Sequence, residues 1–214
     1  MINLGDEKDE KMVKIGGGLT EGMRNQLCAL LKDFKYIFAW SYEDMSGLNP
    51  EIVQHRLPLK PECPPIKYKL RRMKLEISLK IKEEVEKQFN ARFLAIAQYP
   101  QSVVNIVPVP KKDGKVGICV DYRYLNRTSP KDNFPLSHID TLVDNTTTSS
   151  LFSFMDGFSG YNHIKMAPED IEKTTFITIW GTFCYKVMSF WLKNVGATYK
   201  RAMVTLFHDM MHNK

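Results

Sequence analysis

The sequence predicts an α+β fold, and three observations carry that prediction. Two β-rich runs, 102–110 and 116–122, flank Lys111-Lys112-Asp113-Gly114-Lys115, and Asp-Gly between such runs is the strongest short hairpin signal. A second pair of runs, 174–179 and 182–188, flanks Trp180-Gly181. Helical stripes surround them: Ile77, Ile81, Val85 and Phe89 recur every four positions among charged residues, and Tyr199, Ala202, Met203, Leu206 and Met210 repeat the pattern near Lys214. With 43% hydrophobic and 25% charged residues in 214, the composition supports a buried core rather than disorder.

The remaining elements follow in order. Residues 1 to about 20 are polar, end in Gly16-Gly17-Gly18 and read as a flexible lead-in; no Gly-Lys-Ser/Thr follows, so the glycines are not a phosphate loop. Thr20 is placed to cap a short helix carrying Met23, Leu27, Leu30 and Leu31 and ending near Phe34. Five prolines between Ser46 and Pro65 make that stretch an extended connector. The basic cluster Lys67, Lys69, Arg71, Arg72 and Lys74 faces either phosphates or solvent, about equally well. Pro108 and Pro110 confine the strand that holds them to an edge or a frayed end. Leu151 to Met155 is a further strand, stopped by Asp156-Gly157. No internal repeat is present.

Thirty Lys and Arg against 24 Asp and Glu give a net charge of +6, a mild excess that suits a polyanionic partner. Cys28, Cys63, Cys119 and Cys184 form no Cys-x-x-Cys pair, so they read as buried reduced thiols rather than a zinc site or disulfide framework. No apolar run approaches the roughly 20 residues needed to span a bilayer, and the acidic N-terminus lacks signal-peptide grammar. A soluble, intracellular protein with no membrane partner is the expectation.

For chemistry, Asp156 is the prime candidate. A carboxylate at the end of an apolar strand suits a divalent cation, although an Asp in a tight turn is the commoner use of the same residue. Several ordered blocks surround it: Val107-Pro108-Val109-Pro110-Lys111-Lys112-Asp113-Gly114; Val120-Asp121-Tyr122-Arg123-x-Leu125-Asn126; Phe134-Pro135-Leu136-x-x-Ile139-Asp140; Phe154-x-Asp156-x-x-Ser159-Gly160-Tyr161; Thr174-x-Phe176; and Gly181-x-Phe183-x-Tyr185 through Asn194-x-Gly196-Ala197-Thr198-Tyr199. From about residue 37 to 214 this pattern resembles the reverse transcriptases of gypsy-type LTR retrotransposon Pol polyproteins, especially those of plants.

The resemblance implies a right-hand polymerase fold in which residues 1–50 are a lead-in and connector and 51–214 a partial reverse transcriptase domain. Fingers would span about 51–130 and 163–192, and palm about 131–162 and 193–214. It implies RNA-directed DNA synthesis with Mg²⁺, a template-primer of RNA or DNA and dNTP, with downstream polymerase and RNase H segments of the same polyprotein as partners. Matched residue by residue, Asp156 is the first catalytic and metal-binding aspartate, and Gly157 offers the adjoining carbonyl. Tyr161 is the aromatic gate under the sugar, and Lys111 or Lys112 reaches the triphosphate. Asp121, Arg123 and Asn126 hold template, with Phe190 and Trp191 on the loop over the nascent pair.

The same resemblance exposes departures. The family's Tyr-x-Asp-Asp turn would follow about two dozen residues beyond Ala197, and no Asp-Asp pair occurs in the sequence. The expectation is a domain truncated before that turn, inactive alone because one carboxylate holds too little charge for two hard cations, with an uncovered sheet edge that lowers solubility. Gly117 stands where the family has a triphosphate-clamping arginine and Trp191 where it has glycine, a bulk expected to press on the template or push the loop aside. Ser189 for proline and Arg92 for glycine read as milder changes. The competing reading is a non-catalytic remnant that binds nucleic acid weakly through basic fingers. His208 and His212, one turn apart, lack the glutamate a zinc peptidase needs and read as surface histidines.

Overall fold

The computed structural model describes residues 1–5, 10–112, 114–135, 140, 143–144, 147 and 159–209. The chain divides into two compact units, 1–46 and 47–214. In the first, the polar opening is a hairpin rather than a flexible lead-in: β1 (Ile2–Asn3) pairs antiparallel with β2 (Met12–Val13). Asn3 Oδ1 accepts from the backbone N–H of Gly5 and of Lys11, both at 2.9 Å. An asparagine side chain can take over turn hydrogen bonds in this way, a signal that overall polarity hides. Helix α1 (Glu21–Asp33) starts where predicted, with Thr20 Oγ1 accepting the Met23 N–H, and gives way at Phe34. None of its residues is buried.

In the second unit the proline-rich stretch is more than a connector. Within it β3 (Gln54–His55) carries buried His55, and Val53 and Leu57 on either side are buried too. Pro50 and Pro58 flank the strand without entering it, so every backbone donor inside remains free to pair. Helix α2 (Leu75–Asn90) buries Ile81 and Val85 as its stripe predicts, whereas Phe89 at the C-terminal end is 41% exposed. Burying each of those two aliphatic side chains stabilises the fold by about 1.5–3 kcal/mol. Past the helix Arg92 sits at φ 59°, in the left-handed region that glycine adopts freely and a residue with a Cβ adopts at a cost. The change from glycine there is therefore a strained one, not a mild one.

The chain then enters the sheet with β4 (Leu94–Ile96), β5 (Val104–Pro110) and β6 (Val116–Val120), followed by the short helix α3 (Arg123–Thr128). Later, β7 (Lys165–Met166) pairs in parallel with β3. The predicted second hairpin is β8 (Phe176–Thr178) and β9 (Gly181–Tyr185), turning at Gly181 with φ 144°. Helix α4 (Val195–Leu206) closes the described chain; it buries Thr198 and Ala202, one turn apart, while Leu206 is exposed. The main sheet runs β4-β9-β8-β5-β6. Its pairs are antiparallel except β5 with β8, which meet only at Val104↔Phe176 and Asn105↔Ile177. Pro108 and Pro110 lie beyond that meeting and pair with β6 alone, at an end where a missing donor costs nothing. Val104, Ile106, Val120, Phe176 and the two aliphatic residues of α2 form the core. All four cysteines are free, but only Cys184 is buried and the other three are half-buried. The strand predicted over 151–155, the Asp156-Gly157 turn and Met210 lie outside the described residues.

Candidate functional site

The β5–β6 hairpin presents Lys111 and Lys112 at its exposed tip, closed by Lys111 N–H to the Lys115 carbonyl (2.8 Å) and Gly114 N–H to the Lys111 carbonyl (3.1 Å), with Gly114 at φ 77°. The two lysines differ. Lys111 lies back across Gly117: a Cβ added there would stand 3.1 Å from Lys111 Cε and 3.9 Å from its Nζ. Alternation along β6 puts Gly117, Cys119 and Asp121 on one face, so the Lys111 ammonium rests on the face that ends at Asp121. The missing side chain at 117 is the space the lysine uses.

At the base of the hairpin Asp121 accepts two hydrogen bonds from the Arg123 guanidinium, from Nε at 2.8 Å and Nη2 at 2.7 Å. These bonds hold its carboxyl below the ordinary carboxylate range, against partial burial that pushes it up. Between them Tyr122 is fully buried and donates its hydroxyl to the Thr174 carbonyl at 2.8 Å, which anchors the start of α3. Arg123 remains exposed, with donors of its guanidinium still open to a ligand.

Asn126 does something the sequence did not suggest. Its Nδ2 donates to the Trp191 carbonyl (2.9 Å) and its Oδ1 accepts the Lys193 N–H (2.8 Å). The amide thus holds a loop through both its nitrogen and its oxygen. Lys193 Nζ donates to the Ser129 carbonyl and Asn194 Nδ2 to the Pro130 carbonyl, and Leu192 is buried beneath. Trp191 points outward, 48% exposed, edge-on to Phe190 at 5.3 Å. Phe190 meets Tyr161 at 5.4 Å, and Tyr161 meets Tyr199 at 5.3 Å. Tyr199 packs so tightly on Gly160 that a Cβ there would lie 2.8 Å from its ring.

The structure therefore gathers Tyr161, Phe190, Trp191 and Asn126 into one constellation and ties Asp121 and Arg123 to it through α3. It does not bring Lys111 or Lys112 into contact with that group. Asn194 and Tyr199 belong to the constellation and were missed as site residues. Asn194 has a signal in its left-handed backbone, φ 69°, which asparagine tolerates better than most residues; Tyr199 had none beyond its place on a helical stripe. Asp156 and Gly157 lie outside the described residues, as does His212; His208 is exposed beside Asp209. Among the described residues no three His, Cys, Asp or Glu side chains converge to hold a metal ion. Among those residues also, no helix is long and apolar enough to cross a membrane.

Sheet and hairpins together define part of a domain of the reverse transcriptase fold. The fold of foamy viral protease-reverse transcriptase in complex with double-stranded DNA matches 90% of the chain with a TM-score of 0.67 at 16% identity, and the same enzyme with an RNA/DNA hybrid matches at 0.65. Residues 109–214 match the family Reverse transcriptase (RNA-dependent DNA polymerase), and the chain belongs to that family. An RNA-directed DNA polymerase homolog of Oenothera berteroana is 33% identical over 44% of the chain. The Pol polyproteins of the Drosophila melanogaster transposons 297 and gypsy are 27% identical over 63% and 30% identical over 44%. The chain spans 66%, 13% and 9% of those three relatives, and 33% of the first foamy viral chain. Reverse transcriptases depend on a divalent metal in general.

Proposed function

We propose that this chain supplies the fingers and adjoining palm of an RNA-directed DNA polymerase within a retrotransposon Pol polyprotein. Fingers comprise about 51–130 and 163–192, and palm about 131–162 and 193–214. The observation that carries the reading is the rigid aromatic row Tyr161–Phe190–Trp191, clamped from α3 by Asn126. A row of rings on a fixed loop suits the flat faces of a nucleotide pair. Tyr161, braced by Phe190 and Tyr199, is the surface under the incoming sugar, where a fixed ring excludes an extra hydroxyl by contact. Lys111 offers the triphosphate a cation from the hairpin face, with Lys112 at the tip. Arg123 faces the template phosphates, oriented by Asp121. Asn126 acts on template through the loop it holds. Asp156 and the Gly157 carbonyl are the residues we assign to Mg²⁺, which when bound would activate the primer oxygen and neutralise charge on the leaving phosphate.

Primer extension tests the reading. The 214-residue chain, which contains no Asp-Asp pair, is expected to give no incorporation on poly(rA)·oligo(dT) with Mg²⁺ or Mn²⁺. Joined in cis to the Asp-Asp-bearing segment of a relative, it should incorporate dTMP, and Asp156→Asn should abolish that incorporation. Equal incorporation by the chimera and its Asp156→Asn form would overturn the assignment.

A further inference from the structure

Inside the second unit, His55 makes a side-chain contact that the polymerase reading leaves unused: its Nδ1 lies 3.0 Å from the hydroxyl oxygen of Thr198, 143 positions away in sequence. Both residues are buried, where a hydrogen bond is strengthened and an unmade one is costly. Of the two, the histidine is the fixed partner. Its strand is held on β7 by the Gln54↔Lys165 and His55↔Met166 register, and its carbonyl accepts the Ala167 N–H at 2.8 Å. Two residues on, the Leu57 N–H donates to buried Asp170 at 2.7 Å. Thr198 stands on the first turn of α4, its N–H donating to the Asn194 carbonyl at 3.0 Å.

Both ends of this bond lead to Tyr161. On the strand side, β7 begins just after the short 3-10 helix Gly160–His163 that carries Tyr161. On the helix side, Thr198 is followed by Tyr199, whose ring meets Tyr161 at 5.3 Å and lies so near Gly160 that an added Cβ would stand 2.9 Å from its hydroxyl oxygen. The strand pair thus supports the backbone under Tyr161, α4 supports the ring beside it, and the His55–Thr198 bond fixes the distance between the two supports. Gly160 permits the close approach but does not enforce it, since an absent side chain exerts no pull. Enforcement comes from the buried pair behind it, and a close-packed interior passes a shift of either support on to the ring.

We propose that His55 is a positioning residue for sugar selection: by holding Thr198 it keeps Tyr199 against Tyr161 and so sets the room that Tyr161 leaves for a 2′-hydroxyl. This role presupposes the polymerase reading, in which Tyr161 is the surface under the incoming sugar. The test measures kcat/KM of the chimera for UTP and for dUTP on poly(rA)·oligo(dT), two substrates that differ only in the 2′-hydroxyl. Thr198→Val keeps the shape and removes the hydroxyl. It should lower discrimination against UTP roughly two- to ten-fold, the range that one net hydrogen bond spans, with kcat on dUTP within about two-fold of wild type. His55→Ala should do the same, and adding it to Thr198→Val should change nothing further. His55→Asn, whose amide reaches the place of Nδ1, and Thr198→Ser should keep wild-type discrimination, whereas His55→Gln, whose amide reaches the place of Nε2, should not. Ile81→Val, a small core loss in α2, controls for lowered stability and should leave the ratio unchanged. In the 214-residue chain, hydrogen exchange over 160–166 and 195–203 should quicken in Thr198→Val while α2 stays as in wild type. Unchanged discrimination in Thr198→Val and His55→Ala, or an equal loss in Ile81→Val, overturns the role of His55 and leaves the polymerase reading in place. A wild-type chimera that incorporates neither nucleotide brings down the polymerase reading, and sugar selection with it.

Discussion

Replacing Asn126 with alanine removes the clamp beneath the aromatic loop, and the structure fixes the size of the effect. Two hydrogen bonds disappear, one to the Trp191 carbonyl at 2.9 Å and one from the Lys193 N–H at 2.8 Å. At about 0.5–1.5 kcal/mol net for each, the loop loses about 1–3 kcal/mol. The other anchors, Lys193 to Ser129 and Asn194 to Pro130, belong to the same loop, so the loss stays local and the sheet is untouched. By that reasoning the loop samples its open form roughly five- to 150-fold more often. Hydrogen exchange read by mass spectrometry at neutral pH measures this directly: peptides covering 188–195 should exchange faster by that factor while peptides of α2 do not change. Asn126→Asp keeps the acceptor for Lys193 but sets a carboxylate oxygen against the Trp191 carbonyl, so it too should exchange faster than wild type over 188–195. Unchanged exchange over 188–195, or an equal acceleration in α2, would refute the clamp.

Two further outcomes follow from buried or strained positions. His55 is fully buried with Nδ1 3.0 Å from Thr198 Oγ1 and no partner for Nε2 among the described residues; burial lowers its pKa from 6.5 to about 4, with the Asp170 charge opposing. The neutral ring is the folded form, so its stabilisation is complete above pH 6.5 and is lost as pH falls from 6.5 toward 4, by about 3 kcal/mol in full. Urea midpoints measured across that window should fall for wild type and stay flatter for His55→Asn, which retains a partner for Thr198; parallel curves would contradict it. At φ 59° Arg92 costs about 1–2 kcal/mol, offset in Arg92→Gly by the looser unfolded chain. The variant is expected to be more stable by up to about 1 kcal/mol in urea unfolding, and destabilisation would show that the side chain contributes packing.

Local features of this fold were legible because they rest on near neighbours. Asp113-Gly114 specified the first hairpin and Thr20 the start of α1. The four-residue repeat specified α2, although where the stripe leaves the sheet depends on strands far away in sequence. What could not be read were pairings across long separations: β3 with β7, or the insertion of β8 and β9 between β4 and β5. The site divides in the same way. The motifs named Tyr161, Phe190 and Asn126, but whether an amide faces a ligand or a neighbouring loop depends on where residues 191–193 come to rest. The proline count in 46–65 misled because it registers how many prolines occur and not that they bracket a strand.

The order β4-β9-β8-β5-β6 has a consequence for biosynthesis. The two middle strands are the last to be translated, so β4 and the N-terminal end of β5 leave the ribosome facing a gap that neither can fill. At roughly 5–20 residues per second, the nascent chain waits on the order of ten seconds before the hairpin that joins them arrives. Throughout that interval two bare strand margins are open to any passing polypeptide, and a chaperone that shields them would decide the yield of folded product.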